Sequence, residues 1–132
     1  MNINEVLSKL HTGTEHYYAL KRFPNVLLTD GVQDAIVKYS QISIMVEGVI
    51  LLSQKKGTLT ELKQDDTQFW KCRMNKDTMS SITLEDGNYN ALAQIPAPLA
   101  PFLAEDLELT IWAAWSVIED KDVMVFYLPS EH

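Results

Sequence analysis

Apolar residues are spaced at a helical period in the first half of the chain and alternate in the second. Ile3, Leu7 and Leu10 fall at i, i+4 and i+7, one face of a short helix that Asn2 or Asn4 can cap. Thr12-Gly13-Thr14-Glu15 has the form of a capping box, in which a Thr hydroxyl takes an orphan amide and Glu15 reaches back. It predicts a helical turn through Tyr17, Tyr18 and Leu20 that ends before Pro24, because the residue preceding proline avoids the helical region. Leu27-Leu28-Thr29 then leads into Asp30-Gly31-Val32-Gln33, a second box-like start. Asp30 is the expected N-cap there, its carboxylate at the positive end of the helix dipole. Val32, Ile36 and Val37 share a face up to a break near Ser40. From Ile42 through Gln54 a longer helix is expected. Ile42, Met45, Val46, Val49, Ile50 and Leu52 give it a broad apolar face suited to the centre of a core.

Beyond residue 68 the period drops to two. Trp70, Cys72 and Met74 alternate with Lys71 and Arg73, and Ile82 and Leu84 alternate with Ser81, Thr83 and Glu85. Asp86-Gly87-Asn88 supplies a hairpin turn before Tyr89, Ala91, Ala93 and Ile95. Pro96, Pro98 and Pro101 mark a stiff extended connection. Leu107, Leu109, Ile111, Ala113 and Trp115 form the cleanest alternation in the chain. After Glu119 to Asp122, the apolar run Val123 to Leu128 suggests a strand covered on both faces. Helices first and strands second predict an α+β domain spanning residues 1–132. Its N-terminal helices should pack on a C-terminal, mainly antiparallel sheet of about four to five strands.

Composition fits that picture, with 46% apolar and 22% charged residues and a net charge of −7. No 18-residue apolar run exists to span a bilayer, and Met1 to Glu5 lack a basic leader region. A lone cysteine, Cys72, fits a reducing compartment, so a cytoplasmic protein without membrane contact is expected. The charge is unevenly spread. Residues 1–76 carry ten basic and eight acidic side chains, whereas residues 77–132 carry ten acids and one base, Lys121. The second half therefore holds a net −9, clustered at Glu85-Asp86, at Glu105, Asp106 and Glu108, and at Glu119, Asp120 and Asp122. Such a surface repels a phosphate backbone, so direct nucleic-acid binding is not expected. It attracts a basic protein surface instead.

Candidate chemistry is sparse. His11 and His16 stand five apart, off the i, i+4 spacing of a helical metal pair, and Cys72 has no second cysteine, so neither metal nor cofactor is expected. Lys71 and Arg73 flank Cys72 but point to the opposite side of a strand, leaving the thiol packed with Trp70 and Met74. Asp30 and Asp34 read as a cap and a solvated side chain, and Asp86-Gly87-Asn88 as a turn. Lys55-Lys56-Gly57 suits a helix end, and no phosphate-binding loop is present. Tyr17, Tyr18, Lys21 and Arg22 interleave aromatics with positive charge, yet two basic groups are few for a nucleic-acid site. Trp112 falls opposite the apolar series of its strand, where it can anchor a partner.

Three segments stand out together: Thr12-Gly13-Thr14 with Tyr17-Tyr18, Thr29-Asp30-Gly31-Val32, and Leu128-Pro129-Ser130-Glu131. With them the chain resembles a family of uncharacterised small proteins of bacteria, phages and plasmids, whose Leu-Pro-Ser-Glu ending is followed by an aromatic residue. His132 stands in that last place. The resemblance implies no catalytic role, only a mobile-element setting. The expected function is a non-enzymatic, acidic protein-binding domain using Glu105, Asp106, Glu108, Trp112, Glu119, Asp120 and Asp122. Its partner would be a basic protein surface, in the sharpest version a host nucleic-acid-handling defence complex that it inhibits as an anti-CRISPR protein does. The alternative is a small enzyme using Cys72 or a His11/His16 site.

Overall fold

The computed structural model describes residues 1–54, 67–86, 88, 90–97 and 105–132. Its order of elements is α1 (Ile3–Leu7), β1 (Tyr17–Leu20), β2 (Phe23–Thr29), α2 (Asp30–Lys38) and α3 (Ile42–Gln54). Then come β3 (Gln68–Met74), β4 (Ser80–Glu85), β5 (Ala91–Ala97), β6 (Leu107–Ile118), β7 (Lys121–Tyr127) and a final 3₁₀ turn, Pro129–Glu131. The strands form one seven-stranded sheet in the order β1-β2-β7-β6-β3-β4-β5. Every neighbouring pair is antiparallel except β2 with β7. The chain is thus α+β and mainly antiparallel, but with more strands than the four to five expected.

The extra strands come from the region read as helical. Tyr17–Leu20 pairs with β2 as a hairpin rather than forming a helical turn. Four residues are too few for periodicity to decide, and the side chains expected to cap a helix act elsewhere. The Thr14 hydroxyl donates to the His16 carbonyl at 2.8 Å and accepts the Asp30 amide at 3.0 Å. Asp30 is likewise not the N-cap of α2. Thr29 holds that position without a side-chain bond to the helix amides, and Asp30 is the first helical residue. The Asp30 carboxylate instead accepts the amides of Glu15 at 2.8 Å and His16 at 3.3 Å. Asn2 does cap α1, taking the Asn4 amide at 2.9 Å. Lys55 to Gly57, Gly87 and residues 98–101 lie outside the described residues.

The core forms between the helices and one face of the sheet. α3 contributes Ile42, Met45, Val46, Val49 and Ile50, as its periodicity predicts, and β3 and β6 contribute Trp70, Cys72, Leu109, Ile111 and Ala113. Gly48 lets α3 approach β4, since a Cβ there would stand 2.9 Å from Ile82. Gln68 is buried with its oxygen accepting the Trp70 indole N–H at 2.9 Å. Register leaves the first part of β6 without a strand partner on one side, because β7 pairs only from Trp112 onward, and Met1 and Asn2 bridge to Glu108 there. Asn4 closes that edge: its amide donates to the Thr110 carbonyl at 2.9 Å and its oxygen takes the Thr110 N–H at 2.6 Å. β5 is the outer strand on the far side and carries Pro96, whose missing N–H an edge tolerates.

The C-terminal turn is pinned to the start of α2. Glu131 accepts the Thr29 hydroxyl at 2.6 Å, the Gly31 amide at 3.0 Å and the Leu128 amide at 2.8 Å. A Cβ on Gly31 would meet the Glu131 carboxylate at 2.6 Å and Leu128 at 2.7 Å, so only glycine fits beneath that lock. Gly31→Ala should therefore destabilise the fold by about 1–3 kcal/mol, the range for overpacking. Glu131→Ala should cost about 2 kcal/mol by stranding the Thr29 hydroxyl and two amides. Because both changes break one contact, the double variant should be clearly less destabilised than the sum in urea denaturation. Strict additivity would show that the two residues do not act together.

Candidate functional site

The Thr12–Thr14 loop, β1 and the first turns of α2 enclose an open cleft of about 770 Å³. Its polar lining comprises His11, Thr12, Thr14, Glu15, His16, Tyr18, Asp30, Gln33 and Asp34. His11 Nε2 lies 2.8 Å from Asp34 Oδ2, and both side chains are about four-fifths buried, 17% and 23% exposed. A carboxylate only accepts, so Nε2 carries the proton and Nδ1 is the ring atom able to take another. Lys38, one turn further along α2, reaches the same Asp34 oxygen at 3.1 Å. His16 Nδ1 stands 3.6 Å from Asp30, but its side chain is 70% exposed.

These contacts set the local electrostatics. Partial burial pushes the Asp34 carboxyl up, but the bonds from His11 and Lys38 outweigh it and hold the group below its ordinary value. The Glu15 amide above all, with the His16 amide and the Tyr18 hydroxyl, holds Asp30 low against a smaller desolvation effect. Tyr18 is correspondingly pushed up, by desolvation and by the Asp30 carboxylate that it bonds. His11 and His16 thus share a cleft, yet each is paired with a different carboxylate. Among the described residues, no group of three or more His, Cys, Asp or Glu side chains is placed to hold a metal ion. The His11–Asp34 pair joins residues 23 apart, and no spacing rule would have found it.

The acidic residues fall at the two ends of β6. Glu105 and Asp106 lie just before the strand and Glu108 near its start, whereas Glu119, Asp120 and Asp122 lie at and beside the β6–β7 turn. Eleven positions separate Glu108 from Glu119 along the strand, roughly 36 Å at the usual rise, against a Debye length of about 10 Å in 0.1 M salt. They form two patches. The first is partly neutralised: Lys71 reaches Glu108 at 3.7 Å and Glu85 at 3.8 Å, and the Asp106 carboxylate accepts the backbone amide of Lys76 at 2.7 Å. At the second, Glu119, Asp120 and Asp122 are all exposed, with Lys121 the one basic side chain in the turn.

Trp112 sits between the patches on the sheet face away from the helices, half-buried rather than open. Phe69 meets it edge-on at 5.2 Å, Tyr127 at 6.2 Å and His132 at 5.6 Å. The His132 ring also stacks on Tyr127 at 6.0 Å, so the last residue is held as an aromatic would be. Cys72 faces the core with no exposure, and burial pushes its thiol up to about 12. That removes the thiol as a nucleophile near neutral pH. In the native protein Cys72 should not react with a thiol reagent at pH 8, and should react fully once denatured. Rapid native labelling would refute this burial.

Asp34 also fixes a pH dependence. Its folded carboxyl titrates below the ordinary 3.8, so its stabilisation is complete above that value and is lost as pH falls through the folded value. Asp34→Asn should lower the thermal midpoint at neutral pH and flatten its fall between about pH 5 and pH 2. An unchanged acid limb would show that the pairing with His11 and Lys38 contributes nothing.

No curated protein and no solved structure matches the chain. One family model does, over residues 1–132, and its description is a family of unknown function (DUF6876). The match covers the whole length, from the helix that closes the edge of β6 to the glutamate that locks α2, and the chain belongs to this family.

Proposed function

We propose that the protein is a non-enzymatic binding module that offers the acidic β6–β7 turn to a basic protein surface. One observation carries this reading. Ile118 pairs with Lys121, so Glu119 and Asp120 form a two-residue turn, and their φ angles are +51° and +63°. Both lie in the left-handed region, where a side chain costs about 1–2 kcal/mol relative to glycine and where Asn-Gly is the favoured pair. Two carboxylates occupy this backbone, which disfavours Glu119 and which Asp120 tolerates only less well than glycine, at the acidic patch with fewest bases around it. Strain kept at an exposed site points to a use for the side chains.

In the sharper version the setting is a cytoplasmic one in a phage or plasmid host. The partner is then a nucleic-acid-handling defence complex, and the carboxylates stand where phosphates would lie, as in an anti-CRISPR protein. Size, charge and the family resemblance support this, and inhibition of target cleavage by a reconstituted RNA-guided nuclease tests it. Glu105, Asp106 and Glu108 would serve as a secondary contact and Trp112 as an apolar one between the patches.

The turn itself gives the direct test. Glu119→Asn with Asp120→Gly should raise stability by about 1 kcal/mol while slowing association with a partner identified by cross-linking in bacterial cells. Glu119→Lys with Asp120→Lys should slow association further, and Glu5→Lys with Asp77→Lys, an equal charge change elsewhere, should do little. The effect should fade from about 0.1 M to 1 M salt as the Debye length falls from about 10 Å to 3 Å. Equal effects from both reversals would leave net charge, and not the turn, as the cause.

A second reading rests on the His11–Asp34 pair. A histidine that lines a cleft and has one ring nitrogen fixed by a carboxylate is the arrangement of a general base and its orienting group. Should a hydrolytic or proton-transfer activity be found, His11→Gln would abolish it in a folded protein, whereas Cys72→Ala would not.

A further inference from the structure

A second cavity, of about 280 Å³, opens between the β1–β2 hairpin and the helices α2 and α3. Leu28, Val46 and Ile50 form its floor, each at most 2% exposed, so its base is the core itself. Leu20, Phe23 and Ile36 form partly buried walls. Polar groups gather only at the mouth: Lys21 and Arg22 from the tight turn between β1 and β2, and Ser43 and Glu47 from α3. Water inside would find few of the two to four polar partners that hold it in place, so an apolar body is favoured there.

The mouth selects for charge. Arg22 pairs with Glu47 across it, while Lys21 makes no ion pair with any described residue. The rim therefore keeps a surplus positive charge in a protein of net −7. At the roughly 30 Å³ a water occupies in the liquid, the space holds about nine heavy atoms. Glu47 at the rim disfavours a doubly charged head such as a phosphate. A single carboxylate can instead draw Arg22 away from Glu47 and meet Lys21.

We propose that this cavity binds a medium-chain carboxylate, its alkyl chain against Leu28, Val46 and Ile50 and its head between Lys21 and Arg22. The site shares no residue with the acidic turn or with the His11–Asp34 cleft, and stands or falls independently of both.

Calorimetric titration of the full chain with octanoate, octanol, octyl phosphate and octylammonium tests it. Octanoate should bind saturably, octanol and octyl phosphate more weakly, and octylammonium not at all. Lys21→Glu, in an exposed turn, should weaken octanoate roughly fivefold, the scale of one exposed ion pair, and leave octanol unchanged. Glu47→Gln should act in the opposite sense, tightening octanoate severalfold by releasing Arg22. Ile36→Trp should fill the space and remove binding of both. No saturable octanoate binding, equal binding of octanol, or indifference to Lys21→Glu and Glu47→Gln would overturn the proposal. Capture of a peptide ending in three leucines without binding of octanoate would also overturn it, assigning the cavity to a partner's C-terminus.

Discussion

The Glu131 carboxylate is shared among three donors, the Thr29 hydroxyl and the amides of Gly31 and Leu128, and these belong to opposite ends of the chain. Two of them sit where β2 becomes α2, so the negative group also lies at the positive end of a helix dipole. Its geometry constrains much else. β7 must run alongside β2 for its following turn to deliver Glu131 there, which makes β2–β7 the parallel pair of the sheet. Residue 31 must lack a side chain. Asp30 is left free to turn towards Glu15 and His16, which brings the Thr12–Thr14 loop against the same junction. Three short segments, far apart in sequence, thus form one structural knot, and the cleft beside it exists because the knot holds its walls together.

Legibility in the sequence followed the range of the interactions. α3 and the strands from β3 to β7 were readable because each carries enough residues for its period to show, and burial alternates along β3, β4 and the first part of β6 as expected. β1 was not, since four residues with neighbouring tyrosines fit either period, and its partner strand decides the matter. Asp30 suited a cap by local rules, but tertiary amides outbid the helix end. His11 with Asp34, and Glu131 with Thr29 and Gly31, were invisible for the same reason: nothing local records a contact made 23 or about a hundred residues away. The acidic patches were readable as charge, whereas their separation along one long strand was not.

That separation changes what the charge can do. Register places Glu108 opposite Arg73 and beside Lys71, so the start of β6 is a mixed lattice of both signs whose far field largely cancels. The turn at its other end has one base among three acids and no strand neighbour beyond it to balance them. The turn therefore carries the stronger uncompensated negative potential, although both clusters look alike in sequence.

The cleft calls for the opposite reasoning. Its carboxylates look available until their partners are counted, and then Asp30 is occupied by two amides and a tyrosine hydroxyl, and Asp34 by His11 and Lys38. A carboxylate so engaged gains little by releasing those donors for a cation, which agrees with the absence of a three-ligand group among the described residues. The pairing engages one ring nitrogen of His11, Nε2, and so fixes the orientation of the ring. The acidic residues of this cleft therefore act as its framework, holding His11, Lys38 and the Glu15 and His16 amides in place.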